Sequence, residues 1–163
     1  MHPNVLIRPI RPGDAPLLAA AHASLSPETV RLRYLAPKPR LTAGELRYLT
    51  VVDGVDHVAF IALRAEDPSR VAAVARWVRS AQDPATAEAA VVVADDLQGQ
   101  GLGRRMGMVL ADAARERGIR RFRATMLREN VAAHRLFAAI SDRLTTTYEG
   151  GVEELVAELA DAA

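Results

Sequence analysis

Apolar and polar positions change rhythm along this chain. Val5 to Ile10 is a short run of β-formers, closed by the turn residues Arg11-Pro12-Gly13-Asp14. Asp14 is placed to cap a following helix, Ala15 to Leu25, rich in Ala and Leu. Ser26-Pro27-Glu28 opens a second helix with a Ser cap, Pro at the first helical position and an acid behind it. That helix carries Val30 to Tyr34 and stops before Pro37 and Pro39. Thr42-Ala43-Gly44-Glu45 has capping-box spacing and starts a third short helix, ending near Val51.

The period then shortens to that of strands. His57 to Ala65 is an apolar run, Glu66-Asp67-Pro68-Ser69 a turn, and Val71 to Arg79 a second run. Near its end Val74, Arg76 and Val78 alternate with Ala75, Trp77 and Arg79, and the two runs form a hairpin. A third run, Ala87 to Ala94, has the core Val91-Val92-Val93, expected of a strand buried on both faces. From Arg104 to about Arg117 the period lengthens again, with Leu102, Met106, Leu110 and Ala113 on one helical face and Gly118 as the stop. Ile119 to Met126 is a strand, and Asn130 to Ile140 a helix with Ala133, Leu136, Phe137 and Ile140 inward. The tail reads two ways. Propensity makes Val152 to Leu159 a helix, whereas Gly150-Gly151 between two runs makes Leu144 to Leu159 a hairpin.

The candidate chemistry lies at Val91 to Gly103, read as strand, glycine-rich turn, helix. Gly99, Gly101 and Gly103 at alternate positions let backbone N–H groups converge without Cβ obstruction. The helix start adds unpaired donors and partial positive charge, and Arg104 and Arg105 follow at once. Together these make a pyrophosphate cradle; the plain alternative is a tight β-to-α turn. A nucleotide P-loop would need Gly-Lys-Ser/Thr, and here Arg104-Arg105 follows Gly103. A dinucleotide fingerprint would need a third small residue, but the positions counted from Gly101 and Gly99 hold Met106 and Leu102.

Gln98, Gly101 and Gly103 fit Gln-x-x-Gly-x-Gly, which resembles the cofactor motif of the GNAT superfamily of N-acetyltransferases. Val91-Val92-Val93 resembles that family's splayed central strand, and Asn130 to Phe137 its Asn-x-x-Ala-x-x-Leu-Tyr segment. The order of elements also agrees over nearly the whole chain, which favours the hairpin reading of the tail. The stretches Val30 to Tyr34, Leu46 to Asp53 with His57, Ala73 to Arg79, and Ala87-Glu88 onward to Gly99 resemble the acetyltransferase domain of bacterial Pat-type protein lysine acetyltransferases.

The resemblance implies an α/β (α+β) fold: a mixed, mostly antiparallel sheet of six or seven strands, flanked by helices and splayed at its central strand. It implies one acyl-CoA-binding domain over residues 1–163, with no room for the regulatory nucleotide-binding domain that some members attach. It implies acetyl-CoA as acyl donor and a primary amine as acceptor, favouring a protein lysine over a small amine. The cofactor set carried over is Val91, Val92, Val93, Gln98, Gly99, Gln100, Gly101, Leu102, Gly103, Arg104, Asn130 and Phe137, and the general base is Glu88.

Each assignment has a plain alternative. An amine attacks only when neutral, and a carboxylate in a partly buried cleft, acting through water, can take its proton. Glu88 is the one carboxylate within the central strand, and otherwise a solvated strand-start residue paired with an Arg. Asn130 is a cofactor contact, a helix cap, or both. Gln98 is a phosphate-region donor or loop brace, or else an exposed loop residue, and Trp77 is core or cleft wall rather than a specific substrate reader. Phe137 stands where the family often has a Tyr that protonates the departing thiolate, leaving that task to solvent, Tyr34 or Tyr148. The same Phe favours a different class of function, a CoA-binding sensor with weak catalysis. Arg31, Arg33 and Arg40 are a solvated face or a patch that steers phosphates or an acidic partner.

Composition narrows the field further. With 21 basic and 20 acidic residues in 163, the net charge of +1 argues against a nucleic-acid partner. There is no Cys, which excludes disulfides, thiolate metal sites and a Cys nucleophile. His57 and His134 lie far from each other in sequence, so no metal is expected. No apolar run approaches the roughly 20 residues of a membrane span, and the start Met1-His2-Pro3-Asn4 lacks a signal pattern, so a cytoplasmic location is expected. The edge of a C-terminal hairpin offers a surface for a homodimer.

Overall fold

A computed structural model describes residues 2–161. Seven strands form one sheet in the order β1-β2-β3-β4-β5-β7-β6. They are β1 (Val5–Pro9), β2 (His57–Arg64), β3 (Asp67–Arg79), β4 (Thr86–Val93), β5 (Arg121–Leu127), β6 (Ser141–Glu149) and β7 (Val152–Leu159). All neighbours are antiparallel except β4 and β5, which run parallel. Five helices flank the sheet: α1 (Ala15–Ser24), α2 (Pro27–Tyr34), α3 (Ala43–Thr50), α4 (Leu102–Glu116) and α5 (Val131–Ala139). The mixed, mostly antiparallel architecture is the one expected, with seven strands and three helices before the first long hairpin.

Local chemistry sets most boundaries. Ser26 Oγ accepts from Thr29 N and starts α2, and Thr42 with Glu45 closes a capping box on α3. Gly118, at φ +78°, ends the turn after α4. The tail is a hairpin turning through Gly150-Gly151, with β6 starting at Ser141, earlier than its apolar pattern suggests.

Three expectations need correction. Asp14 does not cap α1: its buried carboxylate accepts from both terminal nitrogens of Arg8 (2.8 and 2.7 Å) and from Arg11 N. These bonds hold its pKa below the ordinary carboxylate value. The β2–β3 turn is Ala65-Glu66, so Pro68 lies within β3. A bulge opposite Leu63 and Arg64, together with β4 pairing only from Ala73 onward, leaves Pro68 with no ladder bond to lose. Helix α4 begins at Leu102, two residues before Arg104, because the turn glycines run directly into it.

Alternation along β3 and β4 divides the molecule into two faces. Ala75, Trp77, Ala87 and Ala89 point toward α4, where they pack with Met106, Leu110, Phe122 and Phe137 in the main core. Val74 joins a smaller core with Ile61, Leu63 and Leu18 beneath α1 and α3. Trp77 is fully buried, which settles it as core. No helix among the described residues is long and apolar enough to cross a membrane.

Candidate active site

The site begins where the sheet comes apart. β4 and β5 pair through Thr86–Arg121, Ala87–Phe122 and Glu88–Arg123, and then diverge. Beyond Glu88, β4 keeps only β3 as a neighbour, through Ala73↔Val93. Its other edge is therefore open, which corrects the expectation for Val91-Val92-Val93: all three are half-buried rather than buried on both faces. An open edge presents unpaired backbone N–H and C=O groups to whatever enters.

The gap is a cleft of about 410 Å³. Its walls include Glu88 to Val91 from β4, Arg123 to Met126 from β5, and Asn130, Ala133 and Phe137 from α5. Tyr34, Tyr48 and Arg76 close it on the side of α1–α3. Because both faces of β4 contribute, the cleft passes through the sheet.

At the end of β4 the chain turns into α4. Gly99 and Gly101 adopt φ +76° and +84°, a region where a side chain is strained. Gln98 Nε2 donates to Val93 O (3.0 Å), Thr29 Oγ1 and Asp95 Oδ1, and Gln100 Nε2 donates to Asp96 O (3.1 Å). Both glutamines are thus loop braces. Asp95 accepts from Ser26 N and Thr29 Oγ1, and Asp96 forms a two-pronged ion pair with Arg64 at 2.7 and 2.8 Å, so neighbouring elements hold the loop. The start of α4 has no side-chain cap and no acid in its first turn. Its first N–H groups lie open beside exposed Arg104. Gly103 leaves room against Val93, and Leu102 is buried in the core, so only its backbone can serve a ligand. His2 bonds Gln100 O (3.1 Å) and lies over Gly101, and Arg105 donates to Pro3 O, so the N-terminal segment flanks the cradle.

Of the other residues singled out from sequence, Asn130 caps α5 through Ala133 N and also lines the cleft. Phe137 is buried with its ring in the cleft wall. Glu88 lines the cleft but is exposed and has no arginine partner among the described residues, so the partly buried setting anticipated for it is not found. Tyr34 is in the cleft, while Tyr148 is on β6 under the Arg128 guanidinium, away from it. Arg31 pairs with Glu28 and Glu129. The histidines are not isolated: His134 Nδ1 bonds buried Glu153 (2.9 Å), and His57 Nε2 takes a hydrogen bond from Arg76 (2.9 Å). Burial and the nearby Arg76 charge press the His57 pKa down to about 4. Tyr48 and Arg76 escaped the sequence reading. The available signal was an arginine at an inward position between Val74 and Val78.

An open-edged strand leading through a glycine turn to a bare helix start defines a class of protein: one that receives an extended ligand with an anionic end. Residues 19–140 match the acetyltransferase (GNAT) family, and the chain belongs to it. It is 34% identical over 139 residues to Acetyltransferase Pat of Mycolicibacterium smegmatis, covering 85% of this chain but only 40% of that relative. The GNAT domain of S. lividans PAT superposes with a TM-score of 0.84 at 33% identity, covering 95% of this chain and 90% of that one. A Salmonella typhimurium protein solved with its cofactor acetyl-CoA shares the fold, with a TM-score of 0.72 at 20% identity over 98% of this chain and 96% of its own.

Proposed function

We propose that this chain, as a single acyl-CoA-binding domain, transfers the acetyl group of acetyl-CoA to a primary amine, with a protein lysine as acceptor and Glu88 as general base. The carrying observation is that the open edge of β4 and the Glu88 carboxylate share one cleft, and that the same strand leads through the glycine turn to the uncapped start of α4. The residues fit such a ligand. The cradle of Gly99, Gly101 and Gly103 with Arg104 suits the phosphates, the open edge at Val91, Val92 and Val93 suits the amide-bearing arm, and Asn130 and Phe137 form its far wall.

Bound acetyl-CoA supplies the thioester carbonyl that the amine attacks. Glu88 removes the proton of the incoming ammonium, working through water because its carboxylate is exposed. Backbone N–H groups of the open stretch, around Val93, are the donors available to the carbonyl oxygen. Phe137 cannot return a proton to the thiolate; Tyr34, in the same cleft, carries a candidate hydroxyl, and solvent can also do it. The lysine acceptor draws on the identity with the Pat relative, of which this chain spans less than half. A small amine is the second reading, favoured by a cavity of about 320 Å³ adjoining the cleft. A weakly catalytic sensor is favoured by Phe137 alone. We place the activity in the cytoplasm, with β6, the outer edge of the sheet, as the surface on which a second copy would pair.

The test is calorimetric titration with acetyl-CoA, with NADPH and ATP as controls. Saturable binding of acetyl-CoA alone is expected, followed by transfer to lysine-containing protein. Absence of binding at millimolar acetyl-CoA, with the protein folded, would falsify the reading.

A further inference from the structure

Two arginines of this fold are buried, and they are treated differently. Arg64, at 7% exposure, is paired with Asp96. Arg76 is equally buried at 7%, yet no carboxylate lies within ion-pair distance of it among the described residues. One terminal nitrogen donates to Leu49 O (3.0 Å) and to His57 Nε2 (2.9 Å), both neutral acceptors. The main charge felt from nearby is Arg33, of like sign, and burial with that repulsion draws the Arg76 pKa down to about 10. Arg33 also forms no ion pair among the described residues; its guanidinium rests over the Tyr34 ring at 4.8 Å. A buried cation without a counter-charge is costly, and an anion arriving from outside would relieve that cost.

The position of Arg76 says which anion. It stands in register with Ala90, one step along the same face from Glu88, so the two side chains rise from points about 7 Å apart. Arg76, Arg33 and Tyr34 line both the cleft and the adjoining cavity. The remaining walls of that cavity are mainly apolar, including Leu17, Leu25, Leu41 and Val71. Its acids, Asp95 and Asp96, are already committed to the loop and to Arg64. An amine presented to Glu88 thus has a cationic pair beside it and an apolar hollow behind.

We propose that Arg76 and Arg33 form an anion-recognition subsite for the acceptor, so that the amine accepted here carries a carboxylate held at Arg76, with its apolar portion in the adjoining cavity. This rests on reading the cleft as the acetyl-transfer site. The carboxylate can belong to a free amino acid or to an acidic residue beside a target lysine, and the test separates the two.

The full chain, saturated with CoA, is titrated with product mimics in acid and amide pairs. One pair is N-acetyl-L-leucine and N-acetyl-L-leucinamide; the other is an acetyl-lysine peptide flanked by Glu and its Gln counterpart. In one pair the acid should bind about tenfold or more tightly than the amide, and that pair names the source. Arg76→Met should erase the preference and melt no lower than wild type, since it removes an unpaired buried charge. If Arg76→Met does melt lower, Arg33→Met decides, and an undiminished acid preference in that variant overturns the proposal. Equal binding of acid and amide in both pairs, no binding of any mimic, or a preference that survives Arg76→Met also overturns it. A preceding titration with acetyl-CoA alone shows independently whether the transfer reading stands.

Discussion

The two faces of the sheet are built from the same strands and serve different ends. Toward α4, β3 and β4 present Ala75, Trp77, Ala87 and Ala89, which pack with Met106 and Phe122 into a dry core. Toward α1–α3 the same strands present Arg76, Glu88, Ala90 and Val92, which line cavities. Residues one apart along a strand therefore have unrelated jobs: Trp77 is fully buried structure, while Arg76 is a buried charge beside a cleft. The period of two lets the fold concentrate stability on one side and tolerate unfavourable polar burial on the other.

Substitutions on either face sharpen this division. The largest effect on folding should come from Trp77→Ala, which removes a large core side chain and lowers stability by about 3–5 kcal/mol. Chemical denaturation checks it, and a loss below 1 kcal/mol would mean that the α4 face is not the stabilising one. On the opposite face, Glu88→Gln should cut acetyl transfer by about 10²–10⁴-fold while acetyl-CoA affinity and melting temperature hold. Steady-state kinetics beside calorimetry would show this, and wild-type turnover in the variant would remove Glu88 from the role of base.

Gly101→Val tests the junction between the faces. It forces a β-branched residue to φ +84°, at a cost of about 1–3 kcal/mol, and adds bulk at the cradle. Weaker acetyl-CoA binding is expected alongside lower stability; unchanged affinity would make the glycine a turn residue only. The smallest effect is a pH dependence. His57 has a native pKa of about 4 against about 6.5 when unfolded, so between these values the unfolded chain binds more protons. Its contribution is complete above about pH 6.5 and is lost as pH falls through 4. Melting temperatures measured across that window should fall with acidity less steeply in His57→Gln than in wild type, and parallel curves would show that the His57–Arg76 contact carries no such linkage.

Much of the fold was legible because its signals are local. Capping patterns at Ser26 and Thr42, the stop at Gly118 and the Gly150-Gly151 turn each act within a few residues, and the structure uses all four. The glycine turn before α4 was legible for the same reason. The errors came where a distant partner overrode local preference. Asp14 left its expected helix for Arg8, and Pro68 entered a strand because a bulge and a missing neighbour made it harmless. The valine triad looked like a fully covered strand, yet one of its sides faces a gap.

The periodicities, caps and glycines along the chain determine most of its elements and their order, together with the glycine turn and bare start of α4. These depend on φ and ψ preferences and on hydrogen bonds spanning a few residues, so the amino-acid order contains them. Only the tertiary structure decided that β4 and β5 part after Glu88, which side chains face the opening, and that Arg76 is buried with no acid beside it. Those outcomes turn on which distant groups come within a few ångströms, where desolvation and charge pairing are settled, and no local pattern encodes that distance.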